Sequence, residues 1–344
     1  ADTSTVYDSK GGRIQYYGRS VKDSNGKGYG KISLARGFEL SSNTILVQSV
    51  YDSYKSNPKQ FVDRINSYGL NKPLGLPIKG EGIPVIPQPG TNRWSGVALP
   101  WMAFGYGLSV TPLQTLTLYN AVANDGVMVK PIFVSEIKEW NKTIKKFDTQ
   151  VINPKICSQE TLDKVHAVLE NVVKKGTGSK LYSKDFSMAG KTGTAQVNYK
   201  DKSKLYYASS FVGYFPADEP KYSCIVVVHK PNVAAGYYGA DVAGPVFKRI
   251  AQKIFTDSPS TNHVKNIDAK VVSQEKNYSE YYKKVEKEER IIPNVKGMDG
   301  MDAVALLENL GLKVKVIGVG RVKKQSLTSG QAFNKNQTII IELS

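Results

Sequence analysis

Cysteine and histidine are scarce in this chain: Cys157 and Cys224, with His166, His229 and His263, among 344 residues. Two thiols cannot build a disulfide framework, and Cys224 falls in the apolar run Tyr222–Val228, where it reads as buried filler. The dispersed histidines offer no metal cluster. His166 lies beside the apolar stripe Leu162, Val165, Leu169 and Val172 and reads as a packed residue. No apolar run approaches the ~20 residues of a membrane span, and no leader peptide opens the chain. Phosphate-binding glycine loops are missing as well. Gly190-Lys191-Thr192 has the end of a P-loop but Asp185 where its first glycine belongs, and Phe104-Gly105-Tyr106-Gly107 has Val110 in place of a third dinucleotide-binding glycine.

Acid is in deficit, with 30 Asp and Glu against 47 Lys and Arg, for a net charge of +17. Such an excess favours polyanionic partners such as acidic membrane surfaces, wall polymers or pyrophosphate-bearing precursors, or it serves solubility alone. The cations do not gather round exposed aromatics, so no nucleic acid is expected.

What is present sorts into elements. Residues 5–20 alternate and turn at Gly11-Gly12, as a hairpin would. A short helix is expected from Lys31 to Phe38 and a longer one from Thr44 to Tyr54. Asn57, Pro58 and Gly69 bracket another, with Phe61, Val62, Ile65 and Tyr68 on one face. Residues 71–100, rich in Pro and Gly, form a long loop, ordered or disordered. Helices follow from Thr111-Pro112 to Asn124-Asp125-Gly126 and from Gln159 to Lys175. Then the period changes to three strands, Ser187–Val197, Tyr207–Phe215 and Tyr222–Lys230, with a helix from Val242 to Phe255 to cover them. Helices around a small antiparallel sheet make an α+β class. Expected boundaries are 1–256 for this domain, 257–290 for a polar linker and 291–344 for a small unit with one helix and strands Lys313–Val319 and Thr338–Leu343.

The chemistry concentrates in Lys191-Thr192-Gly193-Thr194 and Ser41-Ser42-Asn43. Read as an edge strand, the first places Lys191 and Gly193 on one face, the lysine as fixed positive charge for a substrate carboxylate and the glycine leaving room beside it. Thr192 and Thr194 offer hydroxyls, the free edge can add a peptide strand, and the Thr194 N–H is a candidate oxyanion donor. Ser41 can relay protons to a leaving amine and Asn43 can donate to a substrate amide, with Ser42 as a packed spacer. These are two of the three motifs of active-serine acyl transfer; the third, Ser-x-x-Lys, should open a helix. Ser24/Lys27 lies in a turn, Ser56/Lys59 encloses Pro58, Ser135/Lys138 is extended and Ser273/Lys276 is in the linker. None qualifies.

Taken in order, Gly37–Thr44, Gly105–Gln114, Ala123–Pro131, Gly176-Thr177-Gly178 and Ala189–Gln196 resemble class B penicillin-binding proteins. Ile292–Gly297, Asp302-Ala303, Leu310–Val314 and Gln325-Ser326 resemble a PASTA domain. The resemblance covers nearly the whole chain. It implies the penicillin-binding/β-lactamase-like fold and a serine D,D-transpeptidase that cross-links peptidoglycan stem peptides and is acylated by β-lactams, without cofactor or metal. It further implies a membrane anchor and a Ser-x-x-Lys helix ahead of Ala1, an extracytoplasmic catalytic part, cell-wall synthesis or division partners and, from the tail, a septal role. These residues alone are then expected to form no acyl-enzyme. The alternatives are a non-catalytic wall-binding scaffold or sensor and a hydrolase of the same fold. The tail is read as a packing or protein-contact unit ahead of a wall-fragment binder. Trp94, Trp101 and Phe104 are read as core or loop anchors ahead of a groove lining.

Overall fold

The computed structural model describes residues 1–140, 142–198, 204–234, 236–257 and 291–344, in two compact units that divide after Pro259. The linker expected over 257–290, with His263 and the Ser273/Lys276 pair, lies outside the described residues apart from Asp257, which ends a helix.

The first unit opens with β1 (Val6–Asp8), β2 (Arg13–Tyr16), β3 (Arg19–Lys22) and β4 (Lys31–Ser33). The hairpin is not where the sequence put it. β2 and β3 pair through a turn at Tyr17 and Gly18, both at positive φ, which matches the twist of the flanking strands. β1 pairs instead with β4. Gly11-Gly12 makes a tight bend between β1 and β2, and its second glycine serves packing: a Cβ on Gly12 would lie 2.4 Å from the Gly28 nitrogen. The expected helix from Lys31 likewise starts later. Residues 31–33 are strand, and α1 (Leu34–Glu39) begins after Ser33, whose hydroxyl accepts from Arg36 N at 3.2 Å as N-cap. α2 (Asn43–Tyr54) and α3 (Pro58–Ser67) follow.

Residues 71–100 are an ordered loop. Gln114 Nε2 donates to Lys72 O at 2.8 Å, Val85 bridges to Ser109, and Ile86 is buried with Val62 and Met102. The loop ends in α4 (Ala98–Met102). α5 (Pro112–Ala123) carries a capping box: Thr111 Oγ1 accepts from Gln114 N, and Gln114 Oε1 accepts from Thr111 N. Four short strands come next, of which the sequence reading saw only extended chain at Ser135–Lys138: β5 (Met128–Val129), β6 (Glu136–Glu139), β7 (Lys142–Lys146) and β8 (Val151–Asn153). Every residue of β6 and β7 is exposed, so no buried face imposes an alternating pattern.

α6 (Gln159–Lys175), capped by Ser158, leads to the central sheet of β9 (Ala189–Val197), β10 (Tyr206–Phe215) and β11 (Tyr222–His229). The sheet is antiparallel with β10 in the middle, so β9 keeps one free edge. α7 (Gly239–Val242) and α8 (Gly244–Asp257) complete the unit. Alternation along β10 divides the core. Phe211 and Phe215 pack on Phe247 and Ala251 of α8, whereas Tyr214 packs with Ala121 of α5 and Leu162 and Leu169 of α6. Helices on both faces bury side chains worth ~2–3 kcal/mol each and hold β9 in place from behind.

The second unit has α9 (Gly300–Asn309), capped by Asp299, against β12 (Lys313–Ile317), β13 (Val322–Gln325) and β14 (Thr338–Leu343). β14 lies between β12, parallel to it, and β13, antiparallel. β13 was not expected, because one of its inward positions is a glutamine. Gln325 Nε2 donates to Pro293 O and Leu327 O, and its Oε1 accepts from Val295 N. Three backbone groups are thereby satisfied beside a core of Leu306, Leu307, Ile339 and Ile341.

Candidate active site

The junction of α1 and α2 is built to hold Ser41 in an uncommon backbone state, with φ at +56°. Its neighbours supply the restraint. Ser42 is fully buried and caps α2, accepting from Ile45 N at 3.3 Å while donating to both carboxylate oxygens of Asp23 at 3.1 Å. The same buried carboxylate accepts from Thr44 N and Thr44 Oγ1, each at 2.9 Å. Asp23 therefore ties a loop before β4 to the start of α2. Gly37 lets the helices approach, since a Cβ there would meet Ile45 Cγ2 at 2.5 Å.

On the other side stands β9. Lys191 Nζ donates to Ser41 Oγ and lies 5.5 Å from the centre of the Phe38 ring. Burial pushes its pKa down from the ordinary lysine value to about 8, so its charge is not fixed in mildly alkaline solution. A second link runs beside it. Thr192 Oγ1 and Thr177 Oγ1 are 2.9 Å apart, and Thr177 N donates to Glu39 O at 3.0 Å. The buried Glu39 carboxylate pairs with Arg36 at 2.8 Å and Lys175 at 3.8 Å. Gly176 permits this contact, because a Cβ there would lie 2.3 Å from Glu39 O. α1, the end of α6 and β9 are thus held in one frame.

Ser41, Asn43, Thr192 and Thr194 wall one cavity of about 960 Å³. Lys191 and Gly193 do not reach its wall. Strand alternation turns them to the other face, and Lys191 meets the cavity through Ser41. The room at Gly193 is taken up by protein: a Cβ on Gly193 would lie 2.5 Å from Ser210 Oγ, and one on Gly239 would lie 2.5 Å from Gly193 O. Asn43 Nδ2 donates to Lys22 O at 2.8 Å, which leaves its second N–H and its oxygen to meet a ligand. Thr194 Oγ1 accepts from Gly239 N at 3.0 Å. Gln196 N donates off the free edge to Tyr106 OH at 3.1 Å, and by antiparallel alternation the Thr194 N–H points the same way.

Trp101 and Phe104 line this cavity, in contrast to the anchor role expected for them, while Trp94 packs against the Val62, Ile86 and Met102 cluster. Tyr207 and Tyr237, stacked with centroids 4.1 Å apart, and Tyr238 line the same cavity. Sequence reasoning passed over these tyrosines, as it did Asp23, Arg36, Glu39 and Tyr106. Gly176-Thr177-Gly178, read only for its resemblance, is the one segment whose glycines could have pointed to the close approach at Glu39 O. Ser24 also walls the cavity, but it sits in a turn and Lys27 is not at the wall. His166 is packed as expected, its Nδ1 2.6 Å from Tyr214 OH, and both cysteines are free. Among the described residues no group of His, Cys, Asp and Glu is arranged to hold a metal, and no helix is long and apolar enough to cross a membrane.

Comparison with known proteins adds to this geometry. Residues 1–252 match the penicillin binding protein transpeptidase domain and residues 290–344 the PASTA domain. Stage V sporulation protein D of Bacillus subtilis is 31% identical over 291 residues, covering 81% of this chain and 41% of that protein. The peptidoglycan D,D-transpeptidase FtsI of Escherichia coli K12 is 32% identical over 191 residues, covering 55% of this chain and 30% of that one. The chain therefore spans less than half the length of either relative. The transpeptidase domain of Burkholderia pseudomallei penicillin-binding protein 3 shares the fold, with a TM-score of 0.61 at 24% identity over 75% of this chain and 74% of that one.

Proposed function

The chain belongs to the penicillin-binding protein transpeptidase family, and on that basis we propose that it supplies most of the catalytic cleft of a peptidoglycan D,D-transpeptidase. The observation that carries the proposal is the hydrogen bond from Lys191 Nζ to Ser41 Oγ at the cavity wall. In the reaction, a serine nucleophile attacks the penultimate D-alanine carbonyl of a stem peptide, the C–N bond breaks, and the terminal D-alanine leaves as an amine. Ser41 relays to that amine the proton released by the attacking serine, and Lys191 orients and polarises the Ser41 hydroxyl from beneath. The Thr194 N–H stabilises the oxyanion, a contact of ~3 kcal/mol in comparable sites. An acceptor amine from a second stem peptide then attacks the acyl-enzyme: the new C–N bond forms, the serine C–O ester bond breaks, and the amine's proton returns along the same path to the serine oxygen.

Thr192 and Gly193 enter as parts of the strand along which the peptide lies, the free edge of β9 pairing with it by strand addition. Asn43 meets the substrate amide with its remaining N–H or its oxygen. A β-lactam presents a cyclic amide to the same groups and is proposed to acylate the same serine. The extracytoplasmic location implied by the resemblance to class B penicillin-binding proteins and the division setting implied by the tail are part of the proposal, and midcell localisation of a fluorescent fusion tests the second.

The decisive test uses the full-length protein that carries these residues. Acylation by a fluorescent penicillin should fall by about 10²-fold or more in Ser41→Ala and in Lys191→Ala, with unfolding midpoints close to wild type for Ser41→Ala. Undiminished acylation in both variants sinks the proposal.

A further inference from the structure

A smaller cavity of about 410 Å³ lies beside the main one, walled by Lys180, Asp241, Lys248, Arg249 and Gln252. Lys180, Ala240 and Asp241 belong to both walls, so the two cavities adjoin along these residues. Three cations face one carboxylate here. The carboxylate is already engaged, for Lys180 Nζ donates to Asp241 Oδ1 at 3.2 Å. Lys248 Nζ donates to Tyr182 O at 3.2 Å, a neutral acceptor, and makes no ion pair among the described residues. Arg249 is exposed and has no ion pair among the described residues. A recess with two such cations on its wall is suited to an anion, and the planar guanidinium to one with paired oxygens.

We propose that this smaller cavity is a subsite for an anionic group, carboxylate or phosphate, carried by a chain-like ligand whose other end occupies the main cavity. The inference rests on reading the main cavity as a peptide cleft. Its exposed cations give a modest contact in isolation, but a ligand already held in the cleft presents its anion at high effective concentration. Two sources share the chemistry: an acidic residue of the peptide itself, and a phosphate on a wall polymer or precursor.

The test measures binding to the full chain by isothermal titration and NMR. The probes are a peptide ending in D-alanyl-D-alanine with an upstream glutamate, its glutamine counterpart, and inorganic phosphate alone. The glutamate peptide should bind about fivefold more tightly than the glutamine one at low salt, and Lys248→Gln/Arg249→Gln should reduce that preference to near unity without weakening the glutamine peptide. Phosphate should shift the resonances of residues 245–252 in wild type and not in the double variant, which marks the phosphate source. Should neither peptide bind while phosphate does, the anion site stands and the peptide cleft falls. Equal binding of the two peptides together with no phosphate response overturns the inference.

Discussion

Lys191 and Ser41 stand 150 positions apart in the chain and meet through a hydrogen bond from ammonium to hydroxyl. Burial holds the lysine near pKa 8, against 10.5 for an ordinary one. Between those values the unfolded chain binds a proton that the folded chain has shed. The contribution of Lys191 therefore makes stability rise with pH across that window, and it is flat below pH 8. Urea midpoints at pH 7 and pH 9.5 should converge once Lys191→Met is introduced, after other titrations common to both proteins are subtracted. Identical pH dependence in the two proteins rules this account out.

Asp23 is the acceptor that organises the start of α2. Asp23→Ala leaves the Ser42 hydroxyl, the Thr44 N–H and the Thr44 hydroxyl without it, at a cost of ~3 kcal/mol. Asp23→Asn retains one acceptor oxygen and should lose less. Denaturant midpoints rank the three proteins, and a variant as stable as wild type contradicts the role.

Gly193 is predicted to be glycine for packing. Gly193→Ala brings a methyl within 2.5 Å of Ser210 Oγ and should destabilise by ~1–3 kcal/mol. Ser210→Ala removes that oxygen and leaves the Ser210 Cβ at 3.9 Å, so the double variant should recover most of the loss. Additive losses in a double-mutant cycle argue for another cause.

Tyr106 closes one end of the β9 edge at Gln196. Tyr106→Phe removes the acceptor and leaves the ring. Amide exchange at Gln196 should quicken several-fold while the global unfolding midpoint changes little. Unchanged exchange separates the hydroxyl from the edge.

No Ser-x-x-Lys among the described residues stands on a helix at the cavity; Ser24 reaches the wall from a turn. These 344 residues by themselves are therefore predicted to take up no covalent label from a fluorescent penicillin. A stable adduct on any serine, located by mass spectrometry, overturns that assignment.

Elements with strong local signals were legible. The helix opened by Thr111-Pro112, the helix from Gln159 to Lys175, and the three strands of the central sheet lie within a residue or two of the expected positions. Elements without a buried face were not, as β6 and β7 show. The misplaced hairpin has a different cause. Gly11-Gly12 looks like a turn, but Gly12 is there to admit the Gly28 backbone, a contact that no local pattern encodes.

The motifs named Ser41, Asn43, Thr192 and Thr194, and all four wall one cavity. Residue type carries this much, because hydroxyls, amides and a lysine at set spacings have few uses in common. What the order of residues determined by itself was the α+β class, most of the helix ends and the chemistry of two short segments, all set by interactions within a few residues. Tertiary structure alone decided that Lys191 meets the Ser41 hydroxyl, that Asp23 and Glu39 hold the frame, and that aromatic side chains line the cavity. Those outcomes depend on which distant groups are buried together, and burial is a property of the assembled chain.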